Sequence, residues 1–194
     1  MRNRYALLGG SFNPVHRGHI HLFHQAASFM DIDTLIVIPA LVSNFKQGSN
    51  PVGFDARRKM LELALLDYRD EYPDDNLEVE ISSFEGMKGS VSYTSDTIKA
   101  FFPLTARGGK VDFIIGDDIL ANLDKWHEFS YIKDHVRFHC FTRGCEERVT
   151  HGAEVVFYDS SVLEASSSDV RLGHGEHLSP RVRRFIDENR LYRA

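Results

Sequence analysis

Four apolar residues, Tyr5-Ala6-Leu7-Leu8, run straight into Gly9-Gly10. A short apolar run stopped by glycine reads as a buried strand. Ser11 to Gly18 follows with the loop signals Asn13-Pro14 and Gly18. From His19 to Met30 the apolar residues Ile20, Phe23, Ala27 and Met30 recur at helical spacing. Thr34 to Ile38 is then β-branched and ends at Pro39. A strand, a helix and a second strand packed into so few residues close as a parallel pair with a right-handed crossover. No other feature constrains the fold as much, because a parallel pair needs helices on its faces.

The alternation continues to the C-terminus. Ser43 to Gly53 is polar loop, and Asp55 is placed to cap a helix running to about Leu66. Leu77 to Ile81 reads as a strand and Phe84 to Ser92 as a loop. Ser95 or Asp96 opens a short helix to Phe102. Val111 to Ile115 is a strand, followed by Gly116-Asp117-Asp118. Ile119 to Asp134 reads as helix broken near Trp126. Val136 to Thr142 and Glu154 to Tyr158 are the last strands, and Ser179-Pro180 starts a terminal helix. Strands alternating with helices predict an α/β fold, a doubly wound parallel sheet. There is no repeat, low-complexity tract or linker. The length of 194 residues suits one domain, 1–194, with a small C-terminal helical part from about residue 160.

Charge narrows the partners. The chain carries 23 basic and 28 acidic residues, a formal net charge of −5. A protein that coats nucleic acid needs a basic surplus to displace counterions, so nucleic acid is not the expected partner. A small anion in a local pocket is still compatible. Two cysteines, Cys140 and Cys145, cannot form a disulfide framework and suit a reducing compartment. The best apolar run, Thr34 to Val42, falls short of the ~20 residues that span a bilayer. The expectation is a soluble cytoplasmic protein that does not bind membranes. The sequence leaves its oligomeric state open.

In open α/β sheets ligands bind beyond the C-terminal strand ends. Here the first such end carries Gly9-Gly10-Ser11-Phe12 and then His16-Arg17-Gly18-His19 at the mouth of a helix. Glycines admit a close backbone approach, and a helix N-terminus presents N–H groups and partial positive charge to a phosphate. By themselves Gly-Gly is usually just a turn, and His-x-x-His a chance pair or part of a metal site. No carboxylate or cysteine stands nearby at ligand spacing, which argues against zinc. The P-loop, the dinucleotide fingerprint and the Gly-x-Ser-x-Gly elbow are absent.

The run from Gly9 to His19 resembles the signature of the nucleotidyltransferases with a His-x-Gly-His motif. Four later stretches occur in order: Ser92 to Thr97, Phe113 to Asp118, Leu123 to Trp126, and Ser166 to Arg171. Together, from about Tyr5 to Tyr192, they resemble the bacterial nicotinate-mononucleotide adenylyltransferases. The resemblance implies a Rossmann-like nucleotidyltransferase fold. It implies a reaction of NAD biosynthesis in which ATP and nicotinate mononucleotide give nicotinate adenine dinucleotide and pyrophosphate. His16, His19 and Arg171 would be catalytic. Gly9, Gly10, Ser11, Phe12, Lys46, Gly116, Asp118, Ser166, Ser167 and Ser168 would bind the nucleotide. Tyr93, Thr94, Trp126 and Arg143 would bind the acceptor, with Trp126 stacked on its pyridine ring. Arg57 matches a structural position. Mg²⁺ would come with ATP, held mainly by phosphates and water, with no dedicated protein site.

The chain departs from the family pattern at several places. Asn13 replaces a common Asp, Ser43 to Lys46 replaces a proline- and histidine-bearing loop, Glu164-Ala165 precedes the serines, and the stretch from Arg171 to Pro180 is short. These changes bear on the acceptor. Two rival readings stand beside the first. One is a related enzyme acting on nicotinamide mononucleotide, phosphopantetheine or with CTP. The other is a nucleotide-binding regulator without catalysis.

Overall fold

A computed structural model describes residues 4–41, 52–89, 91, 93–106, 108–142, 149–159, 165–172 and 175–192. Six parallel strands form one sheet: β1 (Tyr5–Gly10), β2 (Thr34–Pro39), β3 (Glu78–Ile81), β4 (Val111–Gly116), β5 (Val136–Thr142) and β6 (Glu154–Asp159). Their order is β3-β2-β1-β4-β5-β6. The inner strands are mostly apolar because both faces are covered. The outer β3, Glu-Val-Glu-Ile, alternates buried Val79 with exposed Glu78 and Glu80.

Period-two alternation divides the inner strands between two cores. Ala6, Leu8, Leu35, Val37, Ile114 and Phe141 pack on one face against Ile20, Phe23, Met60, Val182 and Ile186. Those side chains come from α1 (Arg17–Phe29), α2 (Phe54–Glu71) and a C-terminal helix that starts at Pro180. Leu7, Ile36, Ile38, Phe113, Ile115 and Phe138 face the other way, onto Ile98 and Ile132. These belong to α4 (Thr94–Thr105) and α6 (Phe129–His135); the short α3 (Phe84–Lys88) and α5 (Asp117–Leu120) sit at strand ends. Two C-terminal helices, α7 (Ser167–Arg171) and α8 (Pro180–Glu188), complete the set among the described residues. Val170 and Leu178 join the first core, so these helices pack on the sheet.

One buried polar row lies on the first face. His139 Nε2 meets the Asp112 carboxylate at 2.8 Å, and its Nδ1 meets the Tyr158 hydroxyl at 2.9 Å. Each buried group there has a partner, as burial requires. No helix among the described residues is long and apolar enough to cross a membrane.

Several expected boundaries move. α1 begins at Arg17, so His16 is its N-cap and His19 lies inside its first turn. α2 is capped by Gly53, not by the Asp55 side chain, and runs on to Glu71. The stretch expected as loop from Phe84 holds α3. α4 begins at Thr94, and the segment after Gly116 breaks into α5, a 3₁₀ turn at Leu123–Lys125 and α6.

Candidate active site

The strand order reverses direction between β1 and β4. The β1–β4 pairing ends at Leu8 and Ile114, and the strands end two residues on, at Gly10 and Gly116, on the C-terminal edge. A parallel sheet also starts each following helix at that edge, which gathers the starts of α1, α2, α4 and α5 there. This is the crevice where open α/β sheets bind ligands.

The β1–α1 loop is built tightly. Phe12 is 2% exposed and has φ +45°, a left-handed conformation that a non-glycine residue keeps only when its surroundings impose it. Its ring lies 5.0 Å from that of His19, and the His16 and His19 rings lie 3.9 Å apart. The backbone N–H of His16 donates to His19 Nδ1 at 3.2 Å. Nδ1 is therefore an acceptor, and a neutral His19 carries its proton on Nε2. His16 is 6% exposed, whereas His19 is half-buried. Of the pair, His19 is the more exposed ring, and His16 packs against it.

Gly18 explains the spacing of that pair. A Cβ there would come within 3.0 Å of His16 Nδ1 and 3.5 Å of Ala165 Cβ. Alanine at Gly18 favours the helix by up to about 1 kcal/mol. It also pushes the His16 ring aside, and a displacement of that kind costs about 10- to 100-fold in rate. Gly18→Ala is expected to leave the melting temperature nearly unchanged while turnover falls by that factor. Full turnover in a steady-state assay would contradict this packing.

The second wall arrives from the other end of the chain. Arg171 Nη1 donates to Asn13 O at 2.6 Å, and Arg171 Nη2 donates to Ser168 Oγ at 2.9 Å. Ser167 Oγ donates to Pro14 O at 2.9 Å. Ser166 caps α7, accepting from the Asp169 N–H at 3.1 Å. The serine hydroxyls are thus engaged within the fold. What α7 can offer an anion is its first-turn N–H groups and the exposed Arg171 fork. At the β4 end, a Cβ on Gly116 would lie 2.5 Å from Asp118 Oδ1, so the Asp118 carboxylate folds back over this glycine.

Three residues outside the expected set hold the loop. Arg57, assigned only a structural place, is 2% exposed and clamps three carbonyls: Ser11 O at 2.7 Å, Val52 O at 2.9 Å and Leu41 O at 3.0 Å. Burial lowers its proton affinity, opposed by nearby Tyr192 and Glu85. Tyr192 donates its hydroxyl to Asn13 Oδ1 at 2.6 Å, and the Val52 N–H reaches the same oxygen at 3.3 Å. Burial pushes the Tyr192 phenol up, with Arg57 and Arg171 pulling it down. Tyr192 therefore stays a neutral donor. Asn13 is the hub where the C-terminus, α2 and α7 meet the β1–α1 loop. No local sequence pattern signals such contacts.

The acceptor-side candidates form a second group. Tyr93 caps α4, and its carbonyl accepts from the Asp96 and Thr97 N–H groups at 3.1 and 3.3 Å. Thr94 is the first residue of that helix. Trp126 is half-buried and meets Phe113 and Phe138 edge-on at 6.2 and 6.0 Å. Lys46 and Arg143 lie outside the described residues, as does Ser92.

A charged crevice of about 440 Å³ lies between α1, α2 and α8. Its charges are paired with each other, Arg17 with Glu71 and Arg181 with Asp67 and Asp70.

Comparison with known proteins gives concordant matches. The cytidylyltransferase-like family model matches residues 7–173. A probable nicotinate-nucleotide adenylyltransferase of Borreliella afzelii is 31% identical over 97% of this chain and 96% of its own. One of Exiguobacterium sibiricum is 31% identical over 97% of this chain and 98% of its own. Among solved structures, Plasmodium falciparum nicotinic acid mononucleotide adenylyltransferase complexed with NaAD superposes with a TM-score of 0.78 at 16% identity, covering 98% of this chain and 97% of that one. That last likeness is one of fold.

Proposed function

The chain belongs to the cytidylyltransferase-like family and, within it, to the nicotinate-nucleotide adenylyltransferases, and from that premise we propose how its site works. It is a nucleotidyltransferase that joins ATP and nicotinate mononucleotide, giving nicotinate adenine dinucleotide and pyrophosphate. One observation carries the assignment of residues. Arg171 reaches across 158 positions to hold Asn13, which brings its guanidinium to the loop that bears His16 and His19.

The nucleophile is a phosphate oxygen of the mononucleotide, already ionised at pH 7. It attacks the α-phosphorus of ATP. The bond from that phosphorus to the bridging oxygen breaks, and pyrophosphate leaves with the electron pair. No general base is needed, so the work is alignment and charge stabilisation. His19 Nε2–H donates to a phosphate oxygen as charge builds, and His16 holds that ring in place. Arg171 grips phosphate oxygens with its fork. Gly9, Gly10, Ser11 and Phe12 bring backbone N–H groups close, with Ser166 to Ser168 doing the same at α7. Gly116 and Asp118 meet the nucleoside at the β4 end. Lys46 joins from the loop after β2.

Trp126 stacks on the pyridine ring, and Tyr93 and Thr94 present the start of α4 to the ring carboxylate. Arg143 completes the acceptor set. The family generally uses a divalent metal ion. The donors converging here are imidazole, guanidinium and amide N–H, which suit phosphate oxygens rather than a cation. Mg²⁺ would accordingly come with ATP, held by phosphates and water rather than by these side chains, and would supply charge neutralisation there. Residues 1–194 act as one domain. Cytoplasm suits a chain with only two cysteines, too few for a disulfide framework.

Pyrophosphate release from ATP, measured against a panel of mononucleotide acceptors, tests the reading. Release is expected with nicotinate mononucleotide and ATP. Release with CTP instead, with phosphopantetheine, or with no acceptor at all would overturn it.

A further inference from the structure

The acceptor pocket as read above has two walls from distant parts of the chain, the start of α4 and the turn that carries Trp126. Core packing on Phe113 and Phe138 fixes one edge of the indole. It does not fix the distance from that indole to α4. The residue that touches both walls is His127, next in sequence after Trp126. Its ring lies 4.3 Å from the Tyr93 ring at 32°, and its Nδ1 lies 3.1 Å from Ser95 Oγ, a side chain with no exposed surface.

Glu128 secures the same turn. It has φ +54°, a left-handed conformation at a non-glycine residue, and its carboxylate pairs with Lys99, one turn further along α4. Hydrogen bonds from Lys99 and Ser95 hold that carboxyl below the ordinary carboxylate range. The turn after Trp126 is therefore pinned to α4 at two successive residues. A conformation this restricted persists where surroundings over-determine it, as they do around binding sites.

We propose that His127 is a positioning residue for the acceptor, setting the spacing between Trp126 and the Tyr93–Thr94 start of α4 and so the fit of a flat anionic ring between them. The proposal rests on the nicotinate-mononucleotide reading. Histidine suits the task because one side chain supplies both a stacking face and a polar atom at Nδ1. Phenylalanine keeps the first contact alone. Asparagine, whose amide overlays Nδ1, keeps the second alone. The His127 side chain is 49% exposed, so truncating it opens no interior cavity.

The test is steady-state pyrophosphate release with each substrate varied in turn, alongside thermal melting. His127→Ala is expected to raise KM for nicotinate mononucleotide about 10-fold, the scale of a small misplacement, with KM for ATP within about twofold and melting unchanged. His127→Phe and His127→Asn should fall between the wild type and alanine, each restoring part of the acceptor KM. A purely structural role would move both KM values together. Equal changes in the two, or an acceptor KM that stays at the wild-type value, would overturn the proposal. Should His127→Ala fail to fold, Ser95→Ala and His127→Phe read the same split. A wild-type chain that ignores nicotinate mononucleotide would instead sink the parent reading.

Discussion

Alanine in place of His19 lowers kcat by about 10²–10³-fold, the usual loss when one preorganised donor to a developing charge is removed. Stability changes little. The lost acceptor for the His16 N–H is worth about 1 kcal/mol at a helix start, or about 2–4 °C in a chain of this length. Because Nδ1 is occupied by the His16 N–H, the useful proton is on Nε2. His19→Gln places an amide near the Nε2 position, and His19→Asn places one near Nδ1. Glutamine should therefore recover more turnover than asparagine, and asparagine more stability than glutamine. Melting curves and kcat measured on the same preparations decide this. The opposite ranking would mean that the imidazole works through its other nitrogen.

The second large effect is on the scaffold. Arg57→Met keeps the length and apolar stem but removes the guanidinium from three part-buried carbonyls. Three hydrogen bonds from a charged donor, each worth about 1.5–3 kcal/mol, make the loss at least about 4 kcal/mol. At this chain length that is roughly 10 °C or more in melting temperature. Ser11 sits in the β1–α1 loop proposed to hold the phosphates, so ATP use should weaken beyond what the lost stability accounts for. Arg57→Lys should recover only a minor part, since a single ammonium cannot match a fork with fixed geometry. Chemical denaturation gives the answer, and a loss under about 1 kcal/mol for the methionine variant would contradict the clamp.

These two residues also mark where the sequence was readable. β1 and β2 announce themselves through apolar runs, because both of their faces are covered. His16, Gly18 and His19 stood out because four residues held together a strand end and a helix start. The clamp did not stand out: Arg57 on a polar helix looks like any solvated arginine until Ser11, Leu41 and Val52 are folded around it. Tyr192 and Asn13 are 179 positions apart, and no periodicity links them. His127 was overshadowed by Trp126, since a polar residue beside a lone tryptophan carries no signal of its own. The sequence reads as loop at α3 because Gly86 interrupts its five residues and Gly89 ends them, yet Gly86 is where the Phe54 ring packs, with a Cβ placed there only 2.4 Å from that ring. α1 began earlier than expected because its first turn is capped by a histidine pair, a pattern outside the usual Ser, Thr and Asp signals.

The central claim is a phosphate cradle where β1 gives way to α1, closed by Arg171. A crystal structure with a non-hydrolysable ATP analogue tests it most directly. Phosphate oxygens are expected about 3 Å from His19 Nε2 and from the Arg171 guanidinium. Phosphates bound elsewhere, with both groups left in solvent, would contradict the account.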